Sequence, residues 1–275
     1  MSKRSERDEE FLVVHATDLM PDAQRTFDHA LAVARKADAR LVSLHVAPSG
    51  LESDKLEESR QMMERLCENY DGEHHEMILE TGEDEKKVLL KKVRQMVPDL
   101  LVVGTRRQAS EGRGKRGGQS VSELAALETD VPTLVVHIGQ EGLVDGNGQL
   151  RLQRVLLPVG DGAEARDTIR GLTTFLDRLG VEEIDIHLLR VGDPEVLEHL
   201  LLPERKGWRW HRQVQKRGFV AKSVAELCEA LDIDLIAMAT RGKDGFIDVF
   251  SGTHTEKVIR RAPRPVLVNS ARDEV

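Results

Sequence analysis

The chain has 275 residues and a formal net charge of −8 at pH 7, and 40% of its residues are hydrophobic but only 3% are aromatic. The length predicts two domains, and the composition predicts cores built from Val, Leu, Ile and Ala. The negative charge argues against a general binder of nucleic acid or of acidic membranes.

The chain begins with a highly charged decapeptide, residues 1–10, which we expect to be a disordered tail. It lacks the apolar core of a signal peptide, and no later apolar run reaches the length of a membrane span. Cys67 and Cys228 each fall within a helical pattern and are predicted to be reduced core thiols, as in a reducing compartment. We therefore expect a soluble, cytoplasmic protein.

A pattern of alternating strands and helices runs from residue 11 to residue 138. Apolar residues at helical spacing predict that the first helix buries the face formed by Phe27, Ala30, Leu31 and Ala34. Adjacent strand residues point to opposite faces, so His74 and His75 do not share a metal ion and are predicted to be a surface pair. The predicted strands are Phe11–Asp18, Arg40–Val46, His75–Glu80, Asp99–Thr105 and Val131–Val136.

The same pattern repeats from residue 151 to residue 275, after a Gly-rich polar linker at residues 139–150. Its first helix is predicted to bury the face formed by Ile169, Leu172, Leu176 and Leu179. The predicted strands are Arg154–Asp161, Glu183–Val191, Trp208–Val214, Asp234–Thr240 and Arg264–Val268.

In both repeats, strands alternate with amphipathic helices, which is typical of an α/β fold. We predict two doubly wound, mostly parallel five-stranded sheets with helices on both faces and right-handed crossovers. Ligands of such sheets bind outside the carboxyl ends of the strands. This rule places Asp161, Val191 and the loop that contains Gly242 on one rim.

The segment 238–253 carries the clearest functional signal. It follows a buried strand, contains Gly242 and the pair Gly252-Thr253, and leads into a helical pattern. Glycines let backbone N–H groups approach an anion, and a helix N-terminus adds partial positive charge. The segment predicts a phosphate-binding loop, with a plain turn as the alternative.

With these elements in place, the chain resembles a tandem universal stress protein over nearly all of its length. That family has a Gly, two residues, a second Gly, nine residues, and then Gly followed by Ser or Thr. Residues 239–253 keep this spacing, with Ala239 in place of the first glycine. The resemblance implies an adenine nucleotide α-hydrolase-like fold. We expect the halves to form a pseudo-dimer through their last strands, Val131–Val136 and Arg264–Val268, which stands alone or pairs again.

The resemblance also implies a site for ATP or a related adenine nucleotide, with which a magnesium ion is compatible. In the second half, the implied site residues are Asp161, Val191, Arg241, Gly242, Gly252 and Thr253. In the first half, the corresponding positions form a weaker site from Asp18, Val46, Gly104 and Ser120.

The second half departs from the family pattern at its aspartate. Gly160 stands at the expected position, and Asp161 follows one residue late, either as a displaced ligand or as a helix N-cap. Ala239 is tolerated if its backbone is extended and is costly if its φ is positive.

The first half departs at its loop. Arg107 replaces the second glycine and Gln119 the third, although Asp18 is correctly placed. The loop is also longer and basic over residues 106–118, which is typical of a solvated surface loop or, alternatively, of a phosphate clamp.

The sequence contains no nucleophile with a paired base and no phosphate-loop motif of the nucleotide triphosphatases. We therefore expect a nucleotide-responsive stress regulator that acts through an unidentified protein partner and is not an enzyme, or at most hydrolyses ATP weakly. The alternative is a scaffold of the same fold in which both nucleotide sites have been lost.

Overall fold

The computed structural model describes residues 10–68, 75–106, 128–140, 142–160, 162–241 and 254–271. The strands are β1 Leu12–Thr17, β2 Arg40–Pro48, β3 His75–Gly82, β4 Leu100–Arg106, β5 Thr133–Ile138, β6 Arg154–Pro158, β7 Ile184–Val191, β8 Trp208–Gln215, β9 Leu235–Arg241 and β10 Val266–Ala271. The helices of these ranges are α1 Ala23–Ala37, α2 Ser53–Cys67, α3 Glu85–Met96, α4 Gly162–Arg178, α5 Glu195–Glu198, α6 Val220–Ala230 and α7 His254–Arg261.

The two repeated halves form one ten-stranded sheet with the order β3-β2-β1-β4-β5-β10-β9-β6-β7-β8. Within each half the strands are parallel, and the predicted α/β fold with helices on both faces is confirmed. The two predicted five-stranded sheets form one continuous sheet, because the halves join edge to edge.

The join lies between β5 and β10, which are antiparallel. Leu134 lies opposite Leu267, and the flanking pairs are Val135 with Val266 and Thr133 with Val268. This arrangement is symmetric about the leucine pair, as expected for a pseudo-twofold axis, and it removes one exposed edge from each half. The predicted joining through the last strands is confirmed.

The core forms two layers, one on each face of the sheet. One layer packs α1 and α4 against both halves and includes the joining leucines, so it crosses the pseudo-twofold axis. The other layer contains the apolar residues of α3, α6 and α7. The helix faces predicted for α1 and α4 are buried.

Both cysteines are free and buried, as predicted. Burial raises the pKa of Cys67 to about 11 and that of Cys228 to about 12. Both side chains are therefore thiols at neutral pH and pack as small apolar groups. Among the described residues, no helix is both long enough and apolar enough to cross a membrane.

The segment that connects the halves packs against α1. Leu143 is fully buried, and its N–H donates to Nε2 of His29 at 3.0 Å. The other ring nitrogen of His29 donates to the carbonyl of Arg25 at 2.7 Å. The connection is therefore part of the packed structure, because its backbone and one of its side chains are bound to the first half.

The prediction that His75 lies on the surface is wrong. Its ring is half-buried, lies 5.8 Å from the ring of Phe27 between centroids, and places Nε2 3.1 Å from Oγ of Ser43. The alternation of β3 directs this side chain towards α1 and α2. His74 lies outside the described residues.

Replacing Val97 with glycine is expected to stabilise the protein. Val97 caps α3 with φ 48° and ψ 56° and is 70% exposed, so its side chain contributes little packing. A left-handed backbone costs a β-branched residue about 1 kcal/mol, and glycine removes this cost. Glycine also loses more conformational entropy on folding, which cancels part of the gain in stability. Chemical denaturation of Val97→Gly is expected to give a higher free energy of unfolding. A lower value would show that this backbone conformation carries no strain.

Candidate functional site

A pocket of about 620 Å³ opens at the carboxyl ends of β1, β2 and β4 in the first half. It is lined by three of the residues predicted for this half, Asp18, Val46 and Gly104. The fourth, Ser120, lies outside the described residues. In the sheet, β1 lies between β2 and β4, so the chain leaves β1 towards β2 on one side and later reaches β4 on the other side. Such a reversal of the strand order opens a crevice at the carboxyl ends of the strands.

Arg106, at the end of β4, lies across the mouth of this pocket and binds two carboxylates. Its Nη1 donates to Asp18 at 2.6 Å, and its Nε and Nη2 both donate to Asp22, the former at 3.1 Å. The hydrogen bonds from Arg106 lower the pKa of Asp22, and the two carboxylates raise the pKa of Arg106. Asp22 and Arg106 are therefore charged at neutral pH.

Both oxygens of Asp18 are in use, because its Oδ1 accepts the N–H of Met20 at 3.1 Å. A ligand hydroxyl that binds Asp18 therefore shares this carboxylate with Arg106, whose positive charge competes for its lone pairs. Arg106 was not among the predicted site residues, although it ends β4 just as Arg241 ends β9.

Gly104 lies where β4 approaches α1 closely. A Cβ atom at this position would stand 2.5 Å from Oγ1 of Thr26 and 3.3 Å from a methyl carbon of Ile138. The absence of a side chain at Gly104 therefore preserves both the packing of α1 and the floor of the pocket.

The described part of the second half contains little of the site predicted there. Val191 ends β7 and is half-buried, and Arg241 ends β9, although its side chain lies outside the description. Outside the described residues lie Asp161, Gly242, Gly252 and Thr253. Their roles stay predictions.

Glu164 fills the space that the family's aspartate would need in the second half. A Cβ atom added at Gly160 would collide with the Glu164 carboxylate. Glu164 lies in the first turn of α4, four residues after Gly160, just as Asp22 follows Asp18 at the start of α1. The second half therefore has a carboxylate at this rim whatever the position of Asp161, and the sequence analysis missed it.

Arg190, the residue before Val191, fixes the backbone next to this carboxylate. Its Nη1 donates to the carbonyl of Gly160 at 2.5 Å, and its Nε donates to the carbonyl of Asp193 at 3.0 Å. In the first half His45 has the same place before Val46, and its ring contacts the carbonyl of Thr17 at 2.9 Å. In both halves, a side chain of the second strand thus contacts a backbone carbonyl at or just after the end of the first strand.

Ala239 is accommodated without strain. It lies within β9, is buried, and does not belong to the residues with positive φ. The change from glycine at this position therefore places only a methyl group in the sheet. Within the described ranges, no group of three or more His, Cys, Asp or Glu residues is placed to hold a metal ion.

Comparison with known proteins identifies relatives of the whole chain. The model of the universal stress protein family matches residues 12–137 and 182–269. A universal stress protein structure from Archaeoglobus fulgidus DSM 4304 is 18% identical, with a TM-score of 0.64, and the match covers 96% of this chain and 100% of that one. A putative universal stress protein from Pseudomonas aeruginosa UCBPP-PA14 is 15% identical, with a TM-score of 0.59, covering 95% and 92%. No curated protein matches the chain. At these identities the solved structures share the fold.

Proposed function

The chain belongs to the universal stress protein family, and on that premise we propose that it is a stress-response regulator that binds an adenine nucleotide and acts through a protein partner. The observation that carries the proposal is the pocket of about 620 Å³ at the rim of the first half, lined by Asp18, Val46 and Gly104. By resemblance to the family, an aspartate and a valine in these places contact a nucleotide, and the glycine belongs to its phosphate loop. The volume is within the range of pockets for small-molecule ligands. Because the second half repeats the same strand order, we place the tighter site at its corresponding rim.

In this proposal the second half holds ATP or a close relative. Its sequence keeps the spacing of Gly242 to Gly252-Thr253, and Glu164 supplies a carboxylate beside Gly160. Val191 and Arg241 are the last residues of β7 and β9, the strands that flank β6 in the sheet, so they share its rim. A magnesium ion that accompanies the phosphates uses mainly phosphate oxygens and water, as is usual for this ion.

The first half binds nucleotide more weakly, because Arg106 already occupies Asp18. The ion pairs of Arg106 are partly exposed, so they weaken a competing ligand rather than exclude it. Domains 11–138 and 151–275 therefore play different parts, with the second as the nucleotide sensor.

A scaffold without nucleotide is the second candidate function. It is favoured by the contact of Arg106 with Asp18 and by Gly160, since neither half then keeps a free aspartate in the family position. In this alternative, both halves have lost nucleotide binding, and the protein acts only through its partner.

Gly252→Val is expected to reduce the affinity for ATP at least about tenfold, since a branched side chain would obstruct the approach of the backbone to a phosphate. Gly146→Val is the matched control, because a Cβ atom at Gly146 meets nothing within 4 Å. Isothermal titration calorimetry of the wild-type chain and both variants measures the effect. Equal affinities in Gly252→Val and the wild type would contradict the placement of ATP in the second half. If the wild type has no affinity, the scaffold alternative stands.

A further inference from the structure

The outermost strands of the sheet, β3 and β8, each have one neighbour within the described residues. In β8, the carbonyls of Gly207 and Gln215 accept N–H groups from β7 and the residue after it, at 3.1 and 2.8 Å. The odd-numbered residues of β8 therefore bond inward, and the even-numbered residues, such as Trp210 and Val214, direct their N–H and C=O groups outward.

The same reasoning applies to β3. The carbonyl of Gly82 accepts the N–H of Ser49 at 2.9 Å, so the even-numbered residues of β3 bond inward to β2. The odd-numbered residues, among them Met77 and Leu79, direct their backbone groups outward. Each end of the sheet thus presents a row of backbone donors and acceptors to which another strand can add.

The two edges have opposite charge. Residues 205–217 contain no acidic side chain, and their basic residues are Arg205, Lys206, Arg209, Arg212, Lys216 and Arg217. Residues 75–85 contain no lysine or arginine, and their acidic residues are Glu76, Glu80, Glu83, Asp84 and Glu85. Because the pseudo-twofold axis makes β3 and β8 equivalent, pairing of two like edges places like charges together, which is unfavourable.

The faces of the two edges also match. Met77 and Val214, 43% and 42% exposed, both lie on the face that carries α1 and α4. On the opposite face, Glu80 binds Lys92 of α3 at 2.5 Å, and Arg209 binds Asp185. When the sheet continues into a second copy in the same orientation, Met77 and Val214 therefore share one face, and Glu80 and Arg209, each with an ion-pair partner in its own copy, share the other.

We propose that β8 of one copy pairs with β3 of a second copy of this chain. The strands of the two halves run in opposite directions, so this pair is antiparallel and extends the sheet across the contact. The contact is head-to-tail, and each added copy offers a further free edge, so the assembly grows with concentration. Its charge complementarity makes it weaker at high salt.

Sedimentation velocity of the full chain at low salt tests the proposal. The average mass of the wild type is expected to rise above that of the monomer as the concentration is raised, and to fall back at about 0.5 M salt, where charges more than a few Å apart are screened. Val214→Pro and Met77→Pro each remove one outward N–H group without breaking the ladder to β7 or β2, a position that edge strands tolerate. Circular dichroism verifies that each variant is folded.

Each proline variant blocks one edge and leaves the other intact. Alone, either variant is expected to stay monomeric at every concentration, because each contact needs one β8 and one β3 and the variant has lost one of them in every copy. Mixed, they are expected to form a dimer of one copy of each and nothing larger, because Val214→Pro keeps β3 and Met77→Pro keeps β8. Val97→Gly, which alters an exposed valine outside β3 and β8, is expected to behave as the wild type.

Three results would overturn the proposal. The wild type stays monomeric at every concentration, the mixture of the two proline variants gives no dimer, or Val214→Pro associates as the wild type does. The last result would place any self-association on another surface.

Discussion

Lowering the pH from about 7 to about 4 is expected to reduce the free energy of unfolding by about 6 kcal/mol, mainly because two buried histidines must stay neutral in the folded protein. Burial lowers the pKa of His29 to about 4 and that of His15 to about 3. The unfolded chain, with histidines near pKa 6.5, takes up these protons earlier than the folded chain. Stability is therefore complete above the unfolded pKa and is lost as the pH falls towards the folded values.

Burial is the main cause of the low pKa of His29, and its contact with the Leu143 N–H also opposes a second proton. Its Nδ1 donates to the carbonyl of Arg25, and its Nε2 accepts the N–H of Leu143, so only the neutral ring satisfies both partners. A proton on Nε2 would face the Leu143 N–H and release the connecting segment. His15 is fully buried beside Ser43, and the nearby His75 lowers its pKa further, against a smaller opposite effect of Asp18.

Urea denaturation at several pH values between about 7 and about 4 measures this loss. The slope of the free energy of unfolding against pH reports the number of protons taken up on unfolding. In His29→Gln this number is expected to fall by about one, because glutamine does not titrate. His199→Gln is the control for the same substitution at an exposed site, since 76% of the His199 side chain is exposed. An unchanged slope in His29→Gln would contradict the assignment.

Truncating either joining leucine, Leu134→Ala or Leu267→Ala, is expected to cost about 2–5 kcal/mol of stability. Both side chains are fully buried and face each other across the antiparallel pair of β5 and β10. The pseudo-twofold axis gives them similar surroundings, so their costs are expected to be similar. The stability loss of the double variant is expected to differ from the sum of the two single losses, because the two leucines lie opposite each other.

Chemical denaturation of the single and double variants tests this expectation. Leu201→Ala is the matched control, because Leu201 is 91% exposed and its truncation is expected to change stability by less than about 0.5 kcal/mol. If truncating either joining leucine lowers the free energy of unfolding as little as truncating Leu201, the join between β5 and β10 does not stabilise the protein.

The periodicity of the sequence was sufficient to predict the halves, the buried helix faces and the joining strands. These features depend on the repeated spacing of apolar residues such as Leu172 and Leu176, which burial enforces along a whole element. His75 was misplaced because a single polar residue at a strand start carries no periodic signal. Its environment is set by Phe27 and Ser43, which lie far away in the sequence.

The candidate site was predictable in its positions but not in its contacts. Asp18, Val46 and Gly104 were named by resemblance to the family, and the strands that carry them end at one rim, where all three line the pocket. The ion pairs of Arg106 bridge more than eighty residues of sequence and depend on the angle at which β4 meets α1. Glu164 was overlooked for a related reason: only the packed first turn of α4 brings its carboxylate over Gly160.

The central claim, that the second half is the nucleotide site, is tested most directly by the stoichiometry of ATP binding to the full chain. Calorimetry is expected to give one tight ATP per wild-type chain, unchanged in Asp18→Asn and lost in Gly252→Val. A wild type that binds no ATP, or a binding event that Asp18→Asn removes and Gly252→Val keeps, would contradict the account.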